Sequence, residues 1–437
     1  MRAAAFLAML LVPALASAAP SSTTMEQAAS STVTSPSAPP VPPADSLAEP
    51  EDEAAPARAL TPLFSFHFDE GLSLPSIGGV FIGNNIGSTV GGKYAFTEGQ
   101  ALFGAYELTY AGPGMRSAEG REFQERSIDH SISGGHSWAL SPAFTLGSRV
   151  QYLHEFRRSG SNEAFGHGLY DFWSLGLTER ADLSVVPGLP LGVFASCAYV
   201  RFPNYTDLMQ ALISASVSAE SSGGQQDFRR YQLGVDGRFD GDKGRGWLTG
   251  SVQDFVKQRV ITGAGTVSDQ RQLDFVTDAG AAWKTTVTKG ESAALTAEPL
   301  LRATWRVSNQ NFLRFRSLTD TSPAFVERNY DYVSPSLGMP VRWTFNSGRS
   351  LFLVPSYALT IYTSRPPRDT WNNYVTDKKQ LNRTFMVSAG YAARLYAYAT
   401  WSFGYTLLIQ RSNNHFESYL PYNYSGHYVF AAIDITY

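Results

Sequence analysis

Three features of this 437-residue chain predict an all-β fold, an antiparallel up-and-down barrel of about sixteen strands (14–18) that crosses a membrane. A hydropathy period of two runs from residue 60 to residue 437, the alternating segments are even in number, and short turns exchange with long polar connections. Composition removes the rival classes. Only 17% of residues are charged, below the roughly 25% of a typical soluble domain, while 13% are aromatic. Beyond the extreme N-terminus there is no apolar run of about 20 residues, which excludes a multi-span helical protein. A formal net charge of -3 gives no basic field for nucleic acid. A single cysteine, Cys197, allows no internal disulfide and no thiolate cage, and neither a cofactor nor a metal site is expected.

Taken in order, the chain opens with Arg2, an apolar stretch from Ala3 to Leu15, and Ala16-Ser17-Ala18 as a cleavage site, which reads as a signal peptide over residues 1–18. Residues 19–59 are rich in Ser, Thr, Ala and Pro, lack aromatic residues and carry Asp45, Glu49, Glu51, Asp52 and Glu53, so they cannot build a core. They are expected to be a disordered tether, stiff over Pro36 to Pro43. Such a tether is either a plain spacer or, over residues 20–59, the contact for a periplasmic export or envelope partner.

Residues 60–437 form the barrel unit, with strands expected at 61–68, 85–96, 101–110, 126–138, 143–155, 167–186, 191–202, 227–239, 246–259, 269–284, 291–307, 329–345, 350–363, 377–393, 396–410 and 423–437. The alternation is plain where Leu295, Ala297, Leu301, Ala303, Trp305 and Val307 interleave with Thr296, Glu298, Arg302, Thr304 and Arg306. Short turns fall at Thr97–Gln100, Leu140–Pro142, Pro187–Pro190, Asp240–Arg245, Thr285–Gly290 and Asn346–Arg349. In a membrane barrel the short turns are periplasmic and the long loops lie outside. Tyr94, Phe96, Trp138, Phe239, Trp247, Trp283, Trp343, Phe345 and Tyr396 cluster beside those turns and are expected to form an interfacial aromatic girdle. Cys197, between Ala195 and Ala198, reads as a small wall residue.

Because a basic side chain facing lipid costs roughly 2–4 kcal/mol at the bilayer midplane, the polar phase is assigned inward. This puts Arg149, Glu155, Arg230, Asp236, Arg238, Lys257, Arg259, Asp274, Asp278, Glu298, Arg302, Arg306 and Arg342 along the channel wall. A mildly basic wall raises the local concentration of anions, unless the charges pair and serve only to solvate and stiffen it. The longest loop, Pro203 to Gln226, places Leu208, Leu212 and Ile213 on one side of a short helix that either folds inward to narrow the pore or stays outside as a surface loop. Trp371 to Tyr374, with Tyr419, Tyr422 and Tyr424, put aromatic faces beside amides, a pairing that suits sugar rings or outer-leaflet contact. For catalysis the candidates are Asp129-His130-Ser131, His136-Ser137 and His154-Glu155, but adjacent strand residues point to opposite faces. No enzyme is expected.

At the C-terminus Val429, Ala431, Ile433, Ile435 and Tyr437 take every second place. This resembles the terminal signal strand of Gram-negative outer-membrane β-barrels, read by the barrel-assembly machinery through its last aromatic residue. The resemblance spans residues 60–437 and implies an outer-membrane location, contact with outer-membrane lipid and a hydrophilic solute or polysaccharide as cargo. A single exported chain of this size with a tether is similar to the barrels of exopolysaccharide export systems. A general or solute-selective porin, and a plugged barrel anchoring an envelope machine, are the alternatives.

Overall fold

The computed structural model describes residues 59–77, 79–97, 99–113, 125–158, 164–186, 189–205, 224–239, 243–314, 323–417 and 422–437. The expected signal peptide, the tether up to residue 58, and Leu208, Leu212, Ile213 and Tyr419 lie outside the described residues.

The strands are β1 (Ala59–Pro75), β2 (Phe81–Thr97), β3 (Gln100–Ala111), β4 (Arg126–Ser141), β5 (Phe144–Arg158), β6 (Phe172–Val186), β7 (Leu189–Arg201), β8 (Phe228–Phe239), β9 (Gly244–Ile261) and β10 (Val267–Trp283). They continue as β11 (Thr285–Lys289), β12 (Ala293–Ala297), β13 (Leu300–Ser308), β14 (Phe312–Arg314), β15 (Ala324–Val326), β16 (Tyr332–Gly338), β17 (Val341–Phe345), β18 (Arg349–Tyr362), β19 (Leu381–Tyr396), β20 (Ala399–Ser412) and β21 (Tyr424–Thr436). Nineteen of them form one sheet; β14 and β15 make a separate hairpin in a loop. Three crossings are each built from two segments, β10 with β11, β12 with β13 and β16 with β17, interrupted at Lys284, Glu298–Pro299 and Met339–Pro340. The wall therefore has sixteen crossings, all antiparallel to their neighbours. β1 pairs with β21 from Ser65↔Thr436 to Pro75↔Gly426, and Phe64 and Tyr437 exchange both backbone bonds at 3.0 and 2.8 Å. That pairing closes the barrel through its membrane-spanning part.

Every expected segment corresponds to a crossing. One turn differs: Thr285–Lys289 is strand β11, and the chain reverses beyond it, where Gly290 N–H donates to the Ala293 carbonyl at 2.9 Å. The run Thr-Thr-Val-Thr is β-branched and favours extended backbone over a turn.

The two faces separate by parity. Leu102, Ile132, Val150, Leu177, Leu233, Phe275, Leu301, Leu337, Phe403 and Ile433 are exposed on the outer face, on strand after strand. An apolar surface running continuously around the closed wall is the pattern of a lipid-facing belt. Val429, Ala431, Ile433 and Ile435 belong to it, alternating with inward Phe430, Ala432 and Asp434, and Cys197 also faces out. Near the short turns the belt ends in Tyr94, Trp138, Trp343 and Trp283, the last packed on Phe239 with ring centroids 5.3 Å apart. Near the long loops a second ring contains Tyr106 beside His130, Tyr152 beside Trp173, and Tyr405 beside His427. Glu179 interrupts the outer face between Leu177 and Ala181, its carboxylate accepting a 2.5 Å bond from Ser148.

One device recurs where long loops rejoin the wall. Asp171, Asp227, Asp331 and Asn423 each stand immediately before a strand and accept a bond from the backbone N–H of Arg157, Phe202, Ser308 and Ser412, at 2.6, 2.7, 2.7 and 2.8 Å. Each bond ties the end of one strand to the start of the next across the loop. The residue that follows, Phe172, Phe228, Tyr332 or Tyr424, turns inward.

Candidate functional site

The inner face is the candidate site, and its character changes with depth. Register puts Arg149, Arg230, Asp236, Arg238, Asp274, Asp278, Arg302, Arg306 and Arg342 on the inward phase. Glu155 is inward and buried, bonded by Arg157. Glu298 sits in the strand interruption at the turn end, paired with Arg245 at 2.8 Å. Lys257 and Arg259 do not follow this pattern. Beyond Phe255 the ladder with β10 slips, and Gln258 and Val260 become the buried positions while Lys257 is exposed. A bulge reverses the phase of everything past it, which parity alone cannot foresee. Trp247 also departs from expectation: instead of joining the girdle it faces the lumen, and its indole N–H donates to Asp278 at 2.7 Å.

In the half nearer the short turns the wall is open and polar. Arg180 makes a two-pronged contact with Asp236 at 2.7 and 2.8 Å and reaches Asp182 at 2.8 Å. Arg302 meets Asp278 at 2.6 Å with its side chain 54% exposed. Arg149 and Arg342 make no ion pair among the described residues, nor does Arg230, which lies at the loop end of β8 and is half-buried. The exposed members, Arg149 and Arg302, remain hydrated, so their charge is available to a solute.

Toward the long loops the same wall is buried. Arg306 and Asp274 pair at 3% and 0% exposure, and Gln272 donates to both Asp274 oxygens at 3.0 and 3.1 Å. Val200, Phe202, Tyr205, Phe228 and Phe255 form an apolar cluster joined by Leu169, Tyr170 and Phe172. On the far side, Arg365 donates to Asn329 and lies over the Tyr362 ring, and Arg314 lies over Tyr374. Burial pushes the Asp331 carboxyl above its usual range, against the Ser308 N–H and Arg328, which hold it down. Trp371, of the loop aromatics, is 85% exposed in a turn where Asp369 accepts the N–H groups of Trp371 and Asn373. Those bonds hold the Asp369 carboxyl below its usual range, the Asn373 N–H contributing most.

Aromatic side chains on the inner wall were not read from the sequence, and they lie on glycines of neighbouring strands. Phe103 covers Gly135, Phe194 covers Gly234, Trp247 covers Gly280, Phe352 covers Gly390 and Phe430 covers Gly404; a Cβ at any of these glycines would overlap the ring. The signal was an inward Gly opposite an inward aromatic, visible only once the register is known.

The histidines do not assemble a catalytic group. His130 lies on the outer face beside Tyr106 at 2.9 Å, whereas Ser131 is buried inward and accepts from Gln151 at 2.9 Å. His154 is outward with Phe156, 4.1 Å between centroids, while Glu155 is inward. His136 is outward, in line with Ser148. His67 is the inward histidine of the closing seam, bridging Asp434 at 2.7 Å and Asp69 at 2.9 Å.

The chain is a closed sixteen-strand antiparallel β-barrel with an apolar outer belt. No family model and no curated protein matches it. Among solved structures it overlaps "Bacterial polysaccharide outer membrane secretin" at 9% identity, over 86% of this chain and 98% of that one, with a TM-score of 0.39. Salmonella typhi OmpF in complex with daunomycin gives 13%, 87%, 98% and 0.43, and outer-membrane expressed OmpT of Vibrio cholerae gives 10%, 89%, 100% and 0.39, in the same order. Overlaps at this level do not bear on cargo or partner.

Proposed function

We propose that this barrel is an outer-membrane channel for hydrophilic material, and specifically the conduit of a polysaccharide export system. The observation that carries the reading is the turn-end half of the inner wall. It sets the exposed pairs Arg180–Asp236 and Arg302–Asp278, together with Arg149 and Arg342, around a lumen of a width that leaves an aqueous path. In this reading the turn end faces the periplasm, residues 1–18 are a signal peptide, residues 20–59 reach a periplasmic partner, and Val429, Ile433, Ile435 and Tyr437 serve the assembly machinery. No bond-making chemistry is assigned to it, since the candidate histidines and their neighbours fall on opposite faces.

A porin shares the wall but does not need residues 20–59. A scaffold plugged by its loops draws support from the buried loop end, where Asp274, Gln310, Asn414 and Tyr362 are all nearly inaccessible. Planar-bilayer recording of the full chain and of a chain lacking residues 20–59 separates the three. The conduit reading expects current through the barrel and loss of a periplasmic partner on deletion. Unchanged conductance with no partner favours a porin, and silence from a folded barrel with its partner present favours the scaffold.

A further inference from the structure

The aromatic residues of the inner wall are not scattered; register aligns each with a glycine and an arginine on consecutive strands. One row runs Lys93, Phe103, Gly135, Arg149 across β2, β3, β4 and β5. A second runs Arg180, Phe194, Gly234 across β6, β7 and β8. A third runs Asp236, Trp247, Gly280, Arg302 across β8, β9, β10 and β13. A fourth, Arg342, Phe352, Gly390, Gly404, Phe430, crosses β17 to β21.

The four rows are not equivalent. In the fourth, Phe352 and Phe430 pack on one another and are 9% and 4% exposed, so their faces are consumed inside the wall. In the first three the rings of Phe103, Phe194 and Trp247 are only half-buried. With no Cβ beneath it, each ring lies down on the strand next to its own and stays partly exposed on the inner wall. Neighbouring strands are about 4.8 Å apart, so each ring stands within one or two strand spacings of a guanidinium. A flat aromatic face beside planar charged donors and acceptors fits a pyranose ring, whose C–H face stacks and whose rim hydrogen-bonds. The first row adds Lys93 and Arg149, which make no ion pair among the described residues, on either side of Phe103 and its glycine. That surplus of positive charge selects a sugar bearing a carboxylate or another anionic group.

We infer that the Phe103, Phe194 and Trp247 rows are stacking subsites for an acidic glycan, lying along one arc of the lumen. The inference rests on the conduit reading and names its substrate class. The test is calorimetric titration of the detergent-folded full chain with oligogalacturonate, and with a neutral malto-oligosaccharide of equal length. The acidic glycan is expected to bind more tightly, and Phe103→Leu and Trp247→Leu each to weaken it about three- to tenfold, the scale of a lost aromatic contact. Arg149→Gln is expected to abolish the preference for the acidic over the neutral glycan. Phe352→Leu, in the buried row, is the control and should leave affinity unchanged. Equal binding of the two glycans, or leucine variants that bind like the parent, overturns the assignment, as does the absence of binding to a folded barrel. Bilayer current recorded in parallel keeps the two failures apart: current without glycan binding removes the subsites and leaves the channel standing.

Discussion

Two ion pairs join the same strands, β10 and β13, four residues apart. Arg302–Asp278 stands in the open half of the wall at 54% and 16% side-chain exposure, and Arg306–Asp274 is sealed under the loops at 3% and 0%. Chemistry and strand pairing are the same; only depth differs. The comparison shows that a barrel wall uses one side-chain vocabulary for two purposes. In water an arginine–carboxylate pair contributes little to stability and remains available to a solute. Sealed from water it is a scaffold whose partners depend on one another, because either charge left alone in the interior is costly.

The sharpest way to break this comparison is to remove one partner at each depth. Asp274→Ala should cost about 3–5 kcal/mol by stranding Arg306, seen as a lower urea midpoint for the detergent-folded barrel. The double change Asp274→Leu with Arg306→Met should recover most of that loss. If Asp274→Ala proves neutral, the loop end is wetter than its burial implies. Next in size is the strand-to-strand tie. Asp227→Ala leaves the buried Phe202 N–H without its 2.7 Å acceptor and should cost about 1–3 kcal/mol. Limited proteolysis should then cut the connection between Phe202 and Asp227 sooner than in the parent. Arg302→Gln should change stability by less than about 1 kcal/mol, yet shift the reversal potential of a bilayer current toward cations. The smallest effect concerns Asp369. Its carboxyl is held below the usual range by N–H donors, so its contribution to the turn is complete above the ordinary aspartate value. It is lost as pH falls through the lowered one. Protection factors for the Trp371 and Asn373 amides, corrected for intrinsic exchange, should hold at pH 6 and through the ordinary aspartate range, and fall only at lower pH.

The crossings were legible in the sequence because a lipid-facing strand must alternate, and alternation is local. The inner set from Arg149 to Arg342 follows from the same rule. It failed where one extra residue resets the phase, as at Lys257 and Arg259. It was set aside too readily at Trp247, where closeness to a turn suggested a girdle although the residue shares parity with Arg245 and Thr249. The strand ties have a local signature: Asp171-Phe172, Asp227-Phe228, Asp331-Tyr332 and Asn423-Tyr424 repeat one pattern, Asp or Asn before Phe or Tyr, at the start of four strands. The glycine and aromatic rows were not legible. Phe103 and Gly135 are 32 residues apart, and only the strand register makes them neighbours. The depth that separates Arg302 from Arg306 depends on how loops fold over the wall, which no period in the strands encodes.

The interruptions at Lys284, Glu298–Pro299 and Met339–Pro340 fall on three neighbouring crossings at one level of the wall. A proline has no N–H to give a ladder. Here the bonds that run from Trp283 N–H to the Pro299 carbonyl and from Glu298 N–H to the Pro340 carbonyl, at 3.0 and 2.9 Å, bridge the gap. Beneath that line, β11, β12 and β17 carry the sheet on to the rim, with β17 still paired to β18. Structurally the line is a crease: along it the ladder is interrupted on three adjacent crossings and spanned by single backbone bonds.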